Sequence, residues 1–237
     1  MKTQIAFAAL AAGLIAAGSA SATQLLANGN FDAGNTGFTS QYVYSPPNGT
    51  GANLWPEGTY DVTTNPNLDH PLFASFGDHT PAPSLGEMMV VNGASAPNTI
   101  VWSEGSNGAP LVGASNTAYT FSFWVASVYP DSPADLQLWI NGQVVNGASF
   151  QAEGGPAGVG NWQEFTYSGV TGSTGLQSIS LSNLNLQPSG NDFALDDMSL
   201  TGVAVPEPTS WALMLVGFGG LGALLRSRRR RGVLAAA

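Results

Sequence analysis

The chain has 237 residues, no cysteine and a formal net charge of −9. Without cysteine, disulfides, a cysteine nucleophile and thiolate metal sites are excluded. Lys2 and five C-terminal arginines are the only Lys and Arg residues, so residues 23–202 have none to contact phosphates, which excludes nucleic acid as an expected partner.

Residues 1–22 have the pattern of a secretory signal peptide. Lys2 provides a positive start, an apolar run covers Ile5–Ala17, and Ala20-Ser21-Ala22 is a small-residue cleavage signal. The apolar run is too short to span a membrane. The alternative, a buried N-terminal helix, leaves both Lys2 and the cleavage signal without a role. We therefore expect an exported protein whose mature domain covers residues 23–202.

Short alternating runs predict that this domain is all-β. Tyr119, Phe121, Phe123 and Val125 fall on one face of a strand, and LQLWING is a second alternating strand that ends at the turn pair Asn141-Gly142. Six Asn-Gly pairs mark tight turns. WQEFTYSG, LQSISLSNL and DFALDDMSL are further predicted strands. Strands of this kind, without an amphipathic helix, predict an antiparallel β-sandwich or jelly roll.

Exposed aromatic residues are the candidate glycan contacts, because sugar rings stack on aromatic planes. Trp124 and Trp139 take the off-core positions of two predicted strands, so we expect both on one exposed sheet face, with Gln137 nearby. Trp55 and Tyr60 lie in a long polar loop and form a second candidate platform. Packing inside the protein is the alternative for each of them, and Trp102 and Trp162 are predicted core residues.

No residue pattern identifies a catalytic site. His70 and His79 are the only histidines, each follows an Asp, and no nucleophile elbow, zinc-protease motif or phosphate-binding loop is present. A glycosidase needs only two suitably spaced carboxylates, and fourteen of the fifteen Asp and Glu residues lie in the middle segment. Nothing singles out a pair, so we predict a non-catalytic domain and keep a glycan-active hydrolase as an alternative.

The two edges of the domain resemble a galactose-binding-like jelly roll, the fold of many carbohydrate-binding modules. Asn28-Gly29-Asn30-Phe31-Asp32 is similar to the start of that family, and Asp196-Asp197 before an apolar strand is similar to its end. The resemblance implies a structural calcium that joins the first and last strands, held by Asp32 and by Asp196 or Asp197, with Asp78 as a further candidate. Oxygen ligands suit calcium, and these carboxylates have no cationic side chain to neutralise them. Hydrated Asp residues that cap turns are the alternative.

The C-terminal region, residues 203–231, resembles a PEP-CTERM sorting signal. Pro206-Glu207-Pro208 precedes the apolar run Trp211–Leu225, which spans about 22 Å as a helix, less than a bilayer core. A basic cluster then follows the positive-inside rule, before a tail at residues 232–237. Its members are Arg226, Arg228, Arg229, Arg230 and Arg231.

The PEP-CTERM resemblance implies sorting by an exosortase of a Gram-negative bacterium. The protein is then held briefly in the inner membrane before it reaches the cell surface or the extracellular matrix. An ordinary single-pass anchor is the alternative. Taken together, the sequence predicts a secreted, exosortase-sorted protein that binds extracellular polysaccharide. A structural surface or adhesion protein without a sugar site is the first rival.

Overall fold

The computed structural model describes residues 23–46, 53–80, 86–105, 110–113 and 116–204, together with Phe218. The predicted signal peptide lies outside the described residues, and so do residues 205–231 of the predicted sorting signal apart from Phe218. Among the residues that are described, no helix combines the length and the apolar character needed to cross a membrane.

Eleven strands account for most of the described regular structure. A short 3₁₀ helix covers Pro66–Leu68, and one turn of α-helix, α1, covers Gly155–Gly158. The strands are β1 Thr23–Gln24, β2 Val43–Tyr44, β3 Thr59–Thr63, β4 Met88–Asn92, β5 Ile100–Gly105, β6 Thr117–Ser127, β7 Asp135–Ile140, β8 Gln143–Gln151, β9 Gln163–Val170, β10 Ser178–Asn183 and β11 Phe193–Ala204.

These strands form two sheets, which confirms the predicted β-sandwich. In the described residues the large sheet has the order β2-β3-β4-β11-β6-β9, with β1 also paired to β11, and the small sheet has the order β5-β10-β7-β8. Only β2 and β3 are parallel; the other pairs are antiparallel. The last strand therefore lies in the middle of the large sheet.

The core between the sheets follows the predicted alternation. Phe121, Phe123 and Val125 of β6 are fully buried, and Leu138 of β7 meets them from the small sheet. Trp102 is also a core residue, as predicted, and its ring stacks beside Phe121 with centroids 6.0 Å apart. Sequence period two therefore located this face correctly.

A second apolar cluster covers the outer face of the large sheet. Met88 and Val90 of β4 point into it, while Met89 and Val91 point into the main core. Being buried on both faces, β4 is a continuous apolar run without alternation. Leu54, from the connection between β2 and β3, and Phe73, from the connection between β3 and β4, also belong to this cluster.

Two of the described Asn-Gly pairs differ in structure. Asn141 and Gly142 have φ values of 51° and 72° and connect β7 to β8, as predicted. Asn146-Gly147 instead lies inside β8, opposite a register shift between Gln137 and Trp139. There the Gln137 amide donates to the carbonyls of Val145 at 2.9 Å and Ala148 at 3.1 Å. Gln137 is therefore buried, and its predicted exposed position was wrong.

Candidate functional site

A cavity of about 170 Å³ lies at one end of the large sheet. The adjacent strands β4, β11 and β6 deliver Asn92, Asp192 and Tyr129 to this end, because Phe193 pairs with both Val91 and Ser127. Loop residues complete the wall, and we call this cavity the Trp55 cleft. Its lining is Trp55, Glu57, His70, Leu72, Phe73, Asn92, Tyr129, Pro188, Ser189, Gly190 and Asp192.

Trp55 stands at the rim of the cleft with 54% of its surface exposed. Its neighbour Leu54 is fully buried, and the Asn92 amide donates 2.6 Å to the Leu54 carbonyl. The Trp55 ring contacts His70 with centroids 4.1 Å apart, and His70 in turn lies 4.4 Å from Phe73. The backbone of the loop is thus fixed by buried contacts, while the Trp55 indole stays exposed at the surface; its role as a glycan contact stays a prediction.

Two carboxyl groups, those of Glu57 and Asp192, line the cleft. Burial raises the pKa of Glu57 to about 7, and the nearby charge of Asp192 adds to that rise. Burial also raises the pKa of Asp192 to about 6, against a hydrogen bond of 3.1 Å donated by the Gly93 amide. Burial lowers the pKa of His70, so this side chain provides no positive charge to offset them at neutral pH.

The Asn28–Asp32 motif organises the N-terminal edge. The Asn28 amide donates to the carbonyls of Gly34 and Thr36, and its oxygen accepts from the Ala33 amide. A Cβ on Gly29 would lie 2.0 Å from the Met198 carbonyl oxygen, so only glycine lets this loop approach β11. Phe31 is fully buried. The Glu87 amide donates to Asp32 Oδ1 at 3.1 Å, so this carboxylate is held next to the start of β4.

An acidic cluster forms where this loop meets β11. The strand changes register between Asp196 and Ser199, and Asp197 adopts a φ of 45°. This bulge lets both carboxylates face residue 79: Asp196 accepts from the His79 amide at 2.8 Å, and Asp197 pairs with His79 Nδ1 at 2.7 Å. Burial raises the pKa of Asp196 to about 7.

Asp32 and Asp78 face each other on the other side of the cluster. A Cβ on Gly86 would lie 2.2 Å from Asp78 Oδ2 and 2.8 Å from Asp32 Oδ1, so both oxygens flank one point. Asp78 Oδ2 is buried without a hydrogen-bond partner. Burial, followed by the charges of Asp32 and Asp197, raises the pKa of Asp78.

Carboxylate oxygens of this kind are suitable ligands for a hard cation. However, Asp196 and Asp197 already form hydrogen bonds with His79. Across the described residues, no three His, Asp or Glu side chains converge on a metal position. Calcium therefore stays a prediction.

Trp124 is covered, contrary to its prediction as an exposed platform. Its side chain points away from the main core, as the alternation of β6 predicted. The His79 ring nevertheless stacks on it, with centroids 3.7 Å apart and 14° between the planes. Trp162 makes an edge contact with the same imidazole, with centroids 6.0 Å apart, and itself packs on the outer cluster. His79 pairs with Asp197 rather than with its sequence neighbour Asp78.

Trp139 and Tyr60 also differ from their predictions. Trp139 lies on β7 of the small sheet, whereas Trp124 lies on β6 of the large sheet, so the two do not share a face. The Trp139 indole is half-buried and donates 2.8 Å to the Ser182 hydroxyl. Tyr60 belongs to β3 and is 5% exposed, with its hydroxyl bonded to Asn35. Its strand lies within a segment whose Asn, Pro and Gly content predicted a loop.

A buried carboxyl pair escaped the sequence analysis. Asp61 of β3 and Asp69 are both fully buried, and their side chains lie within hydrogen-bonding reach of each other. Burial and then the Asp61 charge raise the pKa of Asp69 to about 8, and burial raises the pKa of Asp61. The only signal in the sequence was Asp61 inside the strand-like run TYDVT. A side chain at that position becomes buried when a loop covers its face of the sheet.

Comparisons with known proteins agree with the tail and the fold. Residues 204–230 match the PEP-CTERM protein-sorting motif. No curated protein matches the chain. A Stig cyclase, Fisc, from Fischerella sp. TAU is 16% identical with a TM-score of 0.50, and the match covers 78% of this chain and all of that one.

Two carbohydrate-binding modules are also similar. The CBM22-1 xylan-binding domain from Paenibacillus barcinonensis Xyn10C is 15% identical with a TM-score of 0.48, over 78% of this chain and 97% of that one. Family 16 Carbohydrate Binding Module-2 is 12% identical with a TM-score of 0.39, over 74% and 98%. Identities this low concern the fold alone.

Fold and tail together define a class: a two-sheet β-sandwich followed by a PEP-CTERM sorting motif. The chain carries a PEP-CTERM motif, and this motif indicates a secreted, exosortase-processed protein.

Proposed function

We propose that this protein is a non-catalytic glycan-binding protein of the extracellular polysaccharide matrix, and that the Trp55 cleft is its sugar site. The carrying observation is the exposed Trp55 indole above a cavity with polar acceptors. Sugar rings stack their C–H faces on such an indole while polar groups fix their orientation. The buried Leu54 and the Asn92 hydrogen bond keep the platform in place without a ligand.

A pull-down of the native mature protein on a panel of insoluble polysaccharides tests this proposal. We expect Trp55→Ala to abolish retention while its thermal melt stays close to that of the wild type. Trp139→Ala is the matched control: it removes the same side chain from the small sheet, so it lowers stability and leaves retention intact. If no polysaccharide retains the wild-type protein, the structural surface or adhesion function takes its place.

Exosortase processing is the second part of the proposal. The motif match at residues 204–230 supports it. The Pro206-Glu207-Pro208 triplet, the apolar run and the basic cluster also follow one another in the order of such a signal. Mass spectrometry of the native protein should find a mature N-terminus near Thr23 and loss of the region beyond the triplet. A protein that keeps Trp211–Leu225 in the cell envelope is instead a single-pass anchored protein.

A structural calcium at the acidic cluster is the third part. Asp32 and Asp78 supply oxygens that flank one point, and Asp197 lies beside them. When bound, a cation neutralises these carboxylates and ties the Asn28–Asp32 loop to β11, in a domain without disulfides.

A glycan-active hydrolase is the second candidate, because Glu57 and Asp192 share one cleft and both have a raised pKa. A carboxyl group that keeps its proton near neutral pH is suited to act as a general acid. This function predicts release of reducing ends from the bound polysaccharide and loss of that release in Glu57→Gln. Retention without any release supports the non-catalytic proposal.

A further inference from the structure

The Trp55 cleft has acceptor atoms without donors. Glu57 Oε2 and Asn92 Oδ1 are buried and have no hydrogen-bond partner. Asn92 is only 5% exposed, and its amide nitrogen already donates to the carbonyls of Leu54 and Trp55. An unpaired buried acceptor is costly in free energy, so a ligand that presents several N–H or O–H groups gains by entering here.

The cleft also lacks a positive charge. Glu57 and Asp192 line the same cavity, the Asp192 charge acts on Glu57, and residues 23–204 contain no Lys or Arg. His70, the cleft's imidazole, is buried against Trp55 and Phe73 and favours its neutral form. An anionic sugar is therefore repelled, and a cationic group is the missing partner of the two carboxylates.

The aromatic residues of the cleft favour the same kind of ligand. Trp55 and Tyr129 line the same cavity as the two carboxyl groups. The faces of indole and phenol rings attract cations, most strongly where water is partly excluded. An ammonium group on a sugar ring meets both requirements, since the ring stacks on an aromatic face while its N–H groups reach the acceptors.

We propose that the Trp55 cleft selects sugars bearing a free primary ammonium group, as in a glucosamine polysaccharide, over neutral, N-acetylated or uronate sugars. This inference rests on the proposed function of the cleft as a glycan site. Glu57 and Asn92 recognise the ammonium group, and Trp55 supports the ring. N-acetylation removes the charge and two of the three N–H donors, so it weakens both interactions.

Isothermal titration of the native mature protein with four soluble oligosaccharides of equal length tests the inference. The probes are oligomers of glucosamine, N-acetylglucosamine, glucose and galacturonate. We expect the glucosamine oligomer to bind about tenfold or more tightly than the N-acetylated and neutral ones, as one charge-assisted hydrogen bond allows. The galacturonate oligomer should not bind. A lysine oligopeptide of matched charge is the fifth probe, and we expect it to bind weakly.

Matched variants separate specific recognition from general attraction of a polycation to an acidic domain. Glu57→Gln should remove the preference for the amine and keep weak binding of the neutral oligomer. Glu164→Gln removes the same charge at an exposed position of β9 and should change nothing. An equal loss in both variants, or equal affinity for amine and N-acetyl oligomers, overturns the amine preference.

Two further results have distinct meanings. Absence of binding to every sugar, or binding that Trp55→Ala leaves intact, refutes the proposed glycan site itself. Glu57-dependent binding of the lysine peptide at the affinity of the sugar overturns the assignment to a glycan.

Discussion

The imidazole of His79 lies flat on the indole of Trp124, with ring centroids 3.7 Å apart and 14° between the planes. The same imidazole is bonded through Nδ1 to Asp197 at 2.7 Å. His79 thereby fastens the segment before residue 80 to both β6 and β11. This contact explains why Trp124, which points away from the main core, is not an exposed surface on which a sugar ring can stack.

Replacing His79 tests this fastening. In His79→Ala we expect the tryptophan emission to shift to longer wavelength as Trp124 meets water, and stability to fall by about 1–2 kcal/mol from lost stacking and hydrogen bonding. His79→Phe keeps the stacking and loses only the hydrogen bond, so its emission should stay near that of the wild type. If adding His79→Ala to a Trp124→Phe variant still shifts the emission to longer wavelength, the shift does not come from Trp124, and the proposed cover of Trp124 by His79 is contradicted.

Gly190 controls the shape of the Trp55 cleft. Its φ is 103°, and a Cβ there would lie 2.0 Å from the Asp131 carbonyl oxygen. We expect Gly190→Ala to lower stability by about 2–4 kcal/mol, because both the backbone angle and a clash oppose it.

Gly142→Ala is the control for Gly190→Ala, since Gly142 has a φ of 72° with nothing within 4 Å. Its loss should be limited to about 1 kcal/mol for the backbone angle alone. Equal losses in the two variants, measured by denaturant unfolding, mean that the clash is relieved by movement of the loop.

The proposed calcium predicts a ligand-dependent melt. Mass action gives about 2.7 kcal/mol of added stability at a hundred times the dissociation constant, so the wild-type melting temperature should rise with calcium and fall with a chelator. Asp78→Asn should remove most of this response, because Asp78 Oδ2 is a buried oxygen without a partner. Asp131→Asn, at an exposed position, should respond like the wild type. A wild-type melt that neither calcium nor chelator moves refutes the metal site.

The buried pair Asp61 and Asp69 predicts how stability depends on pH. The folded-state pKa of Asp69 is about 8, against 3.8 as the ordinary value. Between these values the folded protein keeps a proton that the unfolded chain releases, so stability falls as pH rises from about 4 to about 8. Glu57, Asp192 and Asp196 are shifted in the same direction and add to the slope.

Asp69→Asn isolates the contribution of this pair. The amide cannot ionise, so the variant should gain stability relative to the wild type at pH 8 and much less at pH 5, in urea unfolding with chelator present. Asp131→Asn should run parallel to the wild type across the range. A wild-type stability that rises from pH 5 to pH 8 contradicts the raised pKa values.

The local part of the fold was predictable from the sequence. Alternation in β6 placed Phe121 and Phe123 in the core because strand period two depends only on neighbouring residues. The assignment of β6 and β7 to different sheets was not predictable. The alternation of a sequence determines which side chains share a face of a strand, but it does not determine which strands pair. The expectation of a shared face for Trp124 and Trp139 failed for this reason.

The candidate site was predictable only in part. Trp55 was identified from a long polar loop, where an indole is unusual. Asn92, Tyr129 and Asp192 reach the same cavity through long-range pairing of β4, β6 and β11, which no local pattern encodes. Tyr60 was predicted to lie in a loop because turn-forming residues surround it in the sequence, whereas it belongs to a five-residue strand.

The central position of β11 sets the order of events during biogenesis. This strand hydrogen-bonds to β1, β4 and β6, and it is completed only at Ala204, where the match to the sorting motif begins. The large sheet therefore cannot close until nearly the whole domain has been synthesised. A force applied at the C-terminal end of β11 therefore loads the middle of the large sheet in shear rather than peeling an edge.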